Sequence, residues 1–120
     1  MQVETREGVR NLDAIAAIDG VDGVFIGPAD LSAAFGHVGD PWHPEMQDII
    51  ADAFQRIQKA GKAVGILTLD ETLARKHVEM GATFIALGTD SNLMVKATSG
   101  LLAKFKGAPK PQAGAKPQNY

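Results

Sequence analysis

The sequence has 120 residues, the size of one domain, and its 12 basic and 14 acidic residues give a net charge of −2. This even balance, without a basic stripe, argues against a nucleic-acid partner. The absence of cysteine excludes disulfides and thiolate metal sites. No stretch reaches the roughly 20 apolar residues of a membrane span, so we expect a cytoplasmic protein without a membrane partner.

Four short β-rich runs alternate with longer segments whose apolar residues recur at helical spacing. The predicted strands are 1–3, 21–26, 63–67 and 83–87. Because the second strand is apolar on both faces, we expect a parallel sheet covered by helices. The helix after Pro44 carries one apolar stripe, and the last helix should run from about 90 to 105. The stripe consists of Met46, Ile49, Ile50, Phe54 and Ile57.

Glycines end three of the predicted helices and mark out four βα units. Gly20, Gly61 and Gly81 each precede a strand by a few residues, where a left-handed helix cap costs least without a Cβ. The second unit carries an insertion, predicted at 31–43, that contains glycines and Trp42. Parallel α/β folds build their sites in such loops, at the carboxyl ends of strands.

The last residues of the sequence differ in composition from the rest. GAPKPQAGAKPQNY, residues 107–120, lacks large apolar side chains until its final residue, so we expect a flexible tail unless Tyr120 anchors it. The predicted organisation is therefore a unit of four βα repeats, residues 1–106, followed by this tail.

Two acidic residues follow consecutive predicted strands. Glu4 follows the first strand and Asp30 follows the second, so both carboxylates should face one rim of the sheet. Mg²⁺ and Mn²⁺ prefer such oxygen ligands, which makes a shared metal site one interpretation. In the alternative, Glu4 caps a helix or pairs with Arg6, and Asp30 is the N-cap of a turn at 31–33.

Two longer motifs resemble the HpcH/HpaI aldolase family, a family of metal-dependent class II pyruvate aldolases. They are QVETRE at 2–7 and GVDGVFIGPADLS at 20–32, and the resemblance continues through the HPE at 43–45. Shorter matches are Gly61-Lys62, Gly65-Ile66-Leu67 and Gly81-Ala82. The resemblance implies a (β/α)8 TIM barrel of which this chain matches the C-terminal half, as four parallel βα units.

The resemblance also implies an activity and its cofactor. The reaction is the aldol cleavage or condensation of 2-keto-4-hydroxy acids, which gives pyruvate and an aldehyde through a metal-stabilised pyruvate enolate. Glu4 and Asp30 would be the ligands of a divalent metal (Mg²⁺, Mn²⁺ or Co²⁺), and Gln2 would lie beside the metal pocket.

Substrate contacts follow from the same resemblance. The backbone amides of Ala29 and Asp30 would hold the carboxylate of pyruvate, and Gly27 and Pro28 would shape the approach to it. Leu67 would belong to the apolar wall that meets the aldehyde.

The resemblance implies that the catalytic acid and base come from the first half of the barrel, so other residues of this chain are candidate substitutes. His37, His43 and His77 are expected to be surface or packing residues, and His37 is the one to test as a base. Arg6 is expected to pair with Glu7 or Glu4, and its alternative role is to stabilise the enolate oxygen.

Two helix starts carry residues that could serve a site or a cap. Asp70 should cap the third helix rather than join the site. The segment GTDS at 88–91 has the form of a barrel phosphate site, but capping by Asp90 or Ser91 is favoured because an acidic group there would repel phosphate.

Four βα units alone would leave two open sheet edges and an uncovered inner face. The first strand begins at Met1, as expected of a shortened or partial chain. We therefore expect a homo-oligomer, or a second chain that supplies the complementing half-barrel. The alternative function is a catalytically incomplete half-barrel that binds metal and keto acid and oligomerises.

Overall fold

A computed structural model of the chain describes residues 1–107, and its strands form one parallel sheet in the order β1-β2-β3-β4. The predicted arrangement of four parallel βα units is confirmed. The predicted flexible tail lies outside the described residues, apart from Gly107. The elements are β1 (Gln2–Val3), α1 (Arg6–Arg10), α2 (Leu12–Ala16), β2 (Gly23–Ile26), α3 (Pro28–Ala34), α4 (Pro44–Lys59), β3 (Ala63–Leu67), α5 (Glu71–Glu79), β4 (Phe84–Ala86) and α6 (Asp90–Lys106).

The helical segments differ from the sequence prediction in two places. The first one is divided at Asn11 into α1 and α2. The predicted insertion begins as a helix, because Pro28 occupies the first turn of α3 and its fixed φ suits that position. The irregular part of the connection is therefore confined to residues 35–43.

The core lies between the sheet and the helices. Val24 and Ile26 of β2 lie beside Val64 and Ile66 of β3, and all four are at most 1% exposed. The apolar stripe of α4 packs on this layer, as predicted, although Ile49 is only partly buried. The fully buried members of the stripe are Met46, Ile50, Phe54 and Ile57.

The predicted glycine turns are confirmed. Gly20, Gly61 and Gly81 have φ values of 85°, 72° and 95°, in the left-handed region that side chains disfavour. No helix within residues 1–107 is long and apolar enough to cross a membrane.

The other face of the sheet would be the inner face of a barrel. Phe25, Gly65 and Phe84 occupy one row across β2, β3 and β4. The two phenylalanine rings meet at a centroid distance of 5.5 Å above Gly65, and Phe84 is 65% exposed. A Cβ on Gly65 would lie 2.6 Å from the ring of Phe25, so the aromatic pair requires glycine there.

Gly65→Ala should lower the free energy of unfolding by about 1–3 kcal/mol, the usual cost of overpacking. The matched control is Gly100→Ala in α6, where the new methyl group meets nothing within 4 Å. That control should raise stability by up to about 1 kcal/mol, because alanine is the better helix former. Urea unfolding followed by circular dichroism measures both changes. Equal stabilities for the two variants would contradict the packing described for Phe25.

His77 provides a second test of the core. It is 1% exposed, lies between the rings of Trp42 and Phe54, and its Nδ1 has no hydrogen-bond partner among the described residues. Burial, with the charge of Lys76 as a smaller cause, lowers the pKa of His77 from its ordinary value of 6.5.

The unfolded chain therefore binds a proton at this histidine as the pH falls through 6.5, while the folded chain resists protonation. Stability conferred by neutral His77 is present above pH 6.5 and should be lost as the pH falls towards the lowered pKa. We expect His77→Leu to reduce this loss, measured as thermal midpoints between pH 5 and 7.5. An unchanged pH dependence in the variant would contradict the assignment.

Candidate functional site

The carboxyl ends of the first three strands form a rim on which several predicted site residues lie in one row. Val3 is in register with Ile26, and Ile26 with Ile66. The next residues along these strands are Glu4, Gly27 and Leu67. Side chains at equivalent positions of parallel strands point to the same face. These three residues therefore share the inner face, opposite the core.

The side chain of Glu4 lies directly against the backbone of Gly27. A Cβ on Gly27 would lie 2.8 Å from Glu4 Oε2 and 3.0 Å from Gln2 Nε2. Gln2 Nε2 donates a hydrogen bond of 2.7 Å to Glu4 Oε2 and so orients the carboxylate. The structure thus brings Gln2, Glu4 and Gly27 together, and the absence of a side chain on Gly27 makes the approach of Glu4 feasible.

Asp30 lies in the first turn of α3 and is exposed. The alternative prediction that Asp30 is the N-cap is wrong, because the helix begins two residues earlier, at Pro28, with Gly27 as N-cap. Gly27 offers no side-chain acceptor, and its carbonyl oxygen accepts the amide of Leu31 at 2.9 Å. The amides of Ala29 and Asp30 therefore have no capping side chain.

The donor atoms of Glu4 and Asp30 are of the kind that a hard divalent cation prefers. Glu4 and Asp30 offer carboxylate oxygens, which Mg²⁺ and Mn²⁺ prefer. Within residues 1–107, neither carboxylate has a lysine or arginine within salt-bridge distance. The cradle at Gly27 also leaves room for the Glu4 carboxylate above the backbone. The roles of both residues as ligands stay predictions.

Arg6 does not make the predicted ion pair with Glu4 or Glu7. Its Nε donates to the carbonyl oxygen of Ala34 at 2.6 Å, and its guanidinium carbon lies 4.5 Å from the centroid of the Phe35 ring. The combination of a hydrogen bond and a cation–π contact explains the difference. Arg6 thus joins the start of α1 to the end of α3, and its enolate-stabilising role stays a prediction.

A cavity of about 320 Å³ opens beside the rim, between the loop at 35–43 and the start of α6. Three predicted substrate residues, Pro28, Ala29 and Leu67, line it together. Trp42 also lines the cavity. Its place in the predicted insertion at 31–43 was the sequence signal that could have identified Trp42 as a site residue. Lys96 of α6 also contributes to the wall. The remaining lining residues are Pro41, Thr68, Leu69, Asp70, Leu73 and Asn92.

The helix caps near this cavity are only partly as predicted. Asp70 caps α5, since its Oδ1 accepts the Leu73 amide at 2.9 Å. The predicted capping of α6 by Asp90 or Ser91 is wrong, because Thr89 is the N-cap and its hydroxyl accepts the Asn92 amide. Threonine precedes the first helical residue and has the extended backbone that an N-cap requires.

None of the three histidines is among the residues that line the cavity. His77 is a packing residue, as predicted. His37 Nε2 lies 2.7 Å from Glu45 Oε2, and this hydrogen bond lowers the pKa of Glu45. The proposal of His37 as a substitute base therefore has no support from the cavity.

A family model for HpcH/HpaI aldolase/citrate lyase matches residues 1–97. The chain belongs to this family. A hydroxypyruvate/pyruvate aldolase of Pseudomonas aeruginosa is 59% identical over 116 residues, which cover 96% of this chain and 43% of that protein. A 4-hydroxy-2-oxo-heptane-1,7-dioate aldolase of Klebsiella pneumoniae is 54% identical over 105 residues, or 88% of this chain and 40% of that protein.

Solved structures of the HpcH/HpaI family support the same assignment. The crystal structure of a family protein from Burkholderia cenocepacia matches with a TM-score of 0.81 and 40% identity. The match covers 86% of this chain and 40% of that one. The chain thus spans less than half the length of these relatives, and the predicted fold, part of a (β/α)8 barrel, is confirmed.

Gly27→Ala tests the close approach at the rim. Its φ of −98° is ordinary, so alanine should leave the backbone intact while its methyl group displaces the Glu4 carboxylate. We expect the affinity for Mn²⁺ to fall at least about tenfold, the lower range for disturbing the support of a metal ligand.

Free Mn²⁺ can be measured by electron paramagnetic resonance, and Gly100→Ala, remote from the rim, serves as the control. Unchanged Mn²⁺ affinity in a correctly folded Gly27→Ala variant would argue against Glu4 as a ligand.

Proposed function

We propose that this chain forms the metal- and pyruvate-binding part of a class II pyruvate aldolase. The reaction is the reversible cleavage of 2-keto-4-hydroxy acids to pyruvate and an aldehyde. The observation that carries the proposal is the position of Glu4, which Gln2 orients above Gly27 and which has no basic partner among the described residues. Family membership and the names of the relatives support the same reaction class.

Glu4 and Asp30 hold the divalent cation in this proposal, and Mg²⁺, Mn²⁺ or Co²⁺ suits their oxygen atoms. When bound, the cation supplies positive charge beside the keto oxygen of pyruvate, where negative charge develops as the carbon–carbon bond breaks. Gln2 donates a hydrogen bond to Glu4 and prevents the carboxylate from rotating away. This arrangement needs no lysine that forms a Schiff base.

The first turn of α3 binds the carboxylate of pyruvate in this proposal. The amides of Ala29 and Asp30 are donors without a capping side chain, and the positive end of the helix favours an anion there. Pro28, Leu67 and Trp42 supply apolar surface on the side of the cavity where the aldehyde would lie. These walls would shield one side of the reacting carbon atoms from water.

Cleavage also requires a base that removes the proton of the 4-hydroxyl group, and later an acid that protonates the methylene carbon of the enolate. No histidine lines the described cavity, so these groups are expected from a complementing half-barrel chain or from a second copy in a homo-oligomer. Exposed apolar residues on the inner face and on α6, including Phe84 and Phe105, give such a partner surface to bury. A cytoplasmic location is part of this proposal.

The second candidate is a catalytically incomplete half-barrel that binds metal and keto acid and oligomerises. It is favoured by one observation, the absence of an acid–base histidine from the cavity that residues 1–107 form. It predicts that oxalate or pyruvate binds in the presence of metal, but that no bond to carbon is made or broken.

Exchange of the pyruvate methyl protons with deuterated water, measured by proton NMR with Mg²⁺, tests the proposed function. We expect exchange that is abolished by chelation and lowered at least about a hundredfold in Glu4→Gln and Asp30→Asn, the usual cost of losing oxyanion stabilisation. The matched control is Glu7→Gln, an exposed acidic residue of α1, which should exchange at the unaltered rate.

The outcomes separate the two candidates. Exchange by this chain alone would exclude the incomplete half-barrel. Metal-dependent binding of oxalate without exchange would favour it, and exchange restored by a complementing chain would favour the aldolase. Exchange that survives both chelation and the two substitutions would contradict the proposed metal site.

A further inference from the structure

A second group of metal-ligating side chains lies in the connection between α3 and α4. We call His37, His43 and Glu45 the histidine cluster. One ligand atom from each of the three residues lies within 4.8 Å of the others. The imidazole rings of His37 and His43 stack at a centroid distance of 3.8 Å with an interplanar angle of 13°, and His37 Nε2 lies 2.7 Å from Glu45 Oε2.

We propose that the histidine cluster binds a transition-metal dication, of the Zn²⁺, Co²⁺ or Ni²⁺ class, at a site distinct from the Glu4–Asp30 rim. Two imidazoles and one carboxylate are ligands that these ions accept, while Mg²⁺ prefers oxygen atoms alone. The histidine cluster contains neither Glu4 nor Asp30, so the two sites use separate ligands.

Local backbone structure holds two of the ligands close together before a metal arrives. His43 is the N-cap of α4, and Glu45 follows Pro44 in the first turn of that helix. The start of α4 therefore fixes the backbone of His43 relative to that of Glu45. Ordered ligands bind a metal with less loss of conformational entropy than ligands on a free loop.

His37 is held by hydrogen bonds on both sides of its backbone. Its amide donates to the carbonyl oxygen of Ser32 at 2.8 Å, and its carbonyl oxygen accepts the amide of Asp40 at 3.0 Å. Both histidines are partly buried, so neither is a freely rotating surface side chain. The third ligand thus reaches the cluster from the end of α3 along a defined turn.

Binding changes the hydrogen bonding of His43. Its Nδ1 now accepts the Glu45 amide at 3.3 Å, which is long for a helix cap. This bond places the ring proton on Nε2, so coordination through Nε2 requires the proton to move to Nδ1, and coordination through Nδ1 replaces the bond. Either route gives up this weak hydrogen bond, and an ion bound by His37 Nε2 and Glu45 also replaces the 2.7 Å hydrogen bond between them. One of the two stacked rings must rotate as well, because an imidazole nitrogen binds a metal in the plane of its own ring.

One charged group near the histidine cluster favours the binding of a cation, and another opposes it. The carboxyl of Glu45 has a lowered pKa, chiefly through its hydrogen bond to His37, and so is ionised and ready to bind a cation. Arg6 is a nearby positive charge that also lowers the pKa of Glu45 and opposes a second cation. Its guanidinium is held by the Ala34 carbonyl oxygen and the Phe35 ring, outside salt-bridge distance of Glu45.

A metal at this position would also affect the cavity. Pro41 and Trp42 line the cavity, and the same loop carries His37 and His43 on either side of them. Coordination would join the two ends of this loop and fix the Trp42 wall. An ion at the rim would therefore support the reaction, whereas an ion at the histidine cluster would change the mobility of the loop that carries Trp42.

Trp42, the only tryptophan of the sequence, precedes His43 and reports on the site. Ni²⁺ is titrated into the untagged 120-residue chain, in the assembly it forms, with excess Mg²⁺ present to occupy the rim. We expect saturable quenching of tryptophan fluorescence, and an affinity at least about tenfold lower in His37→Ala and Glu45→Gln. The control is Asp48→Asn, an exposed acidic residue of the same helix, which should match the unaltered chain.

The Glu4→Gln/Asp30→Asn double variant separates this proposal from the proposed function. Quenching retained in the double variant supports a second site, whatever the outcome of the exchange experiment. Three results would overturn the proposal: no quenching in the unaltered chain, loss of quenching in the double variant, or an Ni²⁺ affinity in His37→Ala and Glu45→Gln equal to that of the unaltered chain. Circular dichroism verifies the fold of each variant, and Glu45→Gln, an exposed substitution, provides the test if His37→Ala does not fold.

Discussion

The rim depends on one close contact, that between the Glu4 carboxylate and the backbone of Gly27. The register of β1, β2 and β3 places Glu4, Gly27 and Leu67 in one row across the sheet. A side chain at the middle position of this row would fill the space above β2. Glycine in the middle position leaves that space to the carboxylate and to the amide of Gln2. The same residue is the N-cap of α3, so its lack of a side chain also leaves the amides of the first turn uncapped. Gly27 thus gives the Glu4 carboxylate its space and leaves the amides of Ala29 and Asp30 uncapped.

The sheet has two faces with different requirements. The face towards the helices carries β-branched residues and is closed by α4, so it forms a complete core. The inner face carries the Phe25–Phe84 pair above Gly65, and Phe84 remains 65% exposed. A parallel sheet ordinarily has both faces covered. The layer between the sheet and the helices therefore supports the rim from below, while residues 1–107 leave the inner face uncovered at Phe84.

Features that depend on local sequence could be predicted, and features that depend on distant contacts could not. The strand at 63–67, the glycine turns and the Asp70 cap each follow from a few neighbouring residues. Arg6 was misassigned because its partners, Ala34 and Phe35, lie in α3 and at its end, far along the sequence. The row shared by Glu4 and Gly27 was predictable from strand ends and a family resemblance, whereas Trp42 and Lys96 enter the cavity only through the packing of the loop and of α6.

The two proposed metal sites are linked by one short helix. α3 begins at the rim, with Gly27 as its N-cap, and ends at Ala34, three residues before His37. Arg6 fastens this end of the helix through the Ala34 carbonyl oxygen and the Phe35 ring. α3, a helix of about two turns, therefore connects the turn that leads to His37 with the amides of Ala29 and Asp30. Their chemistry differs, oxygen ligands at the rim and imidazole in the loop, so the two sites need not compete for the same ion.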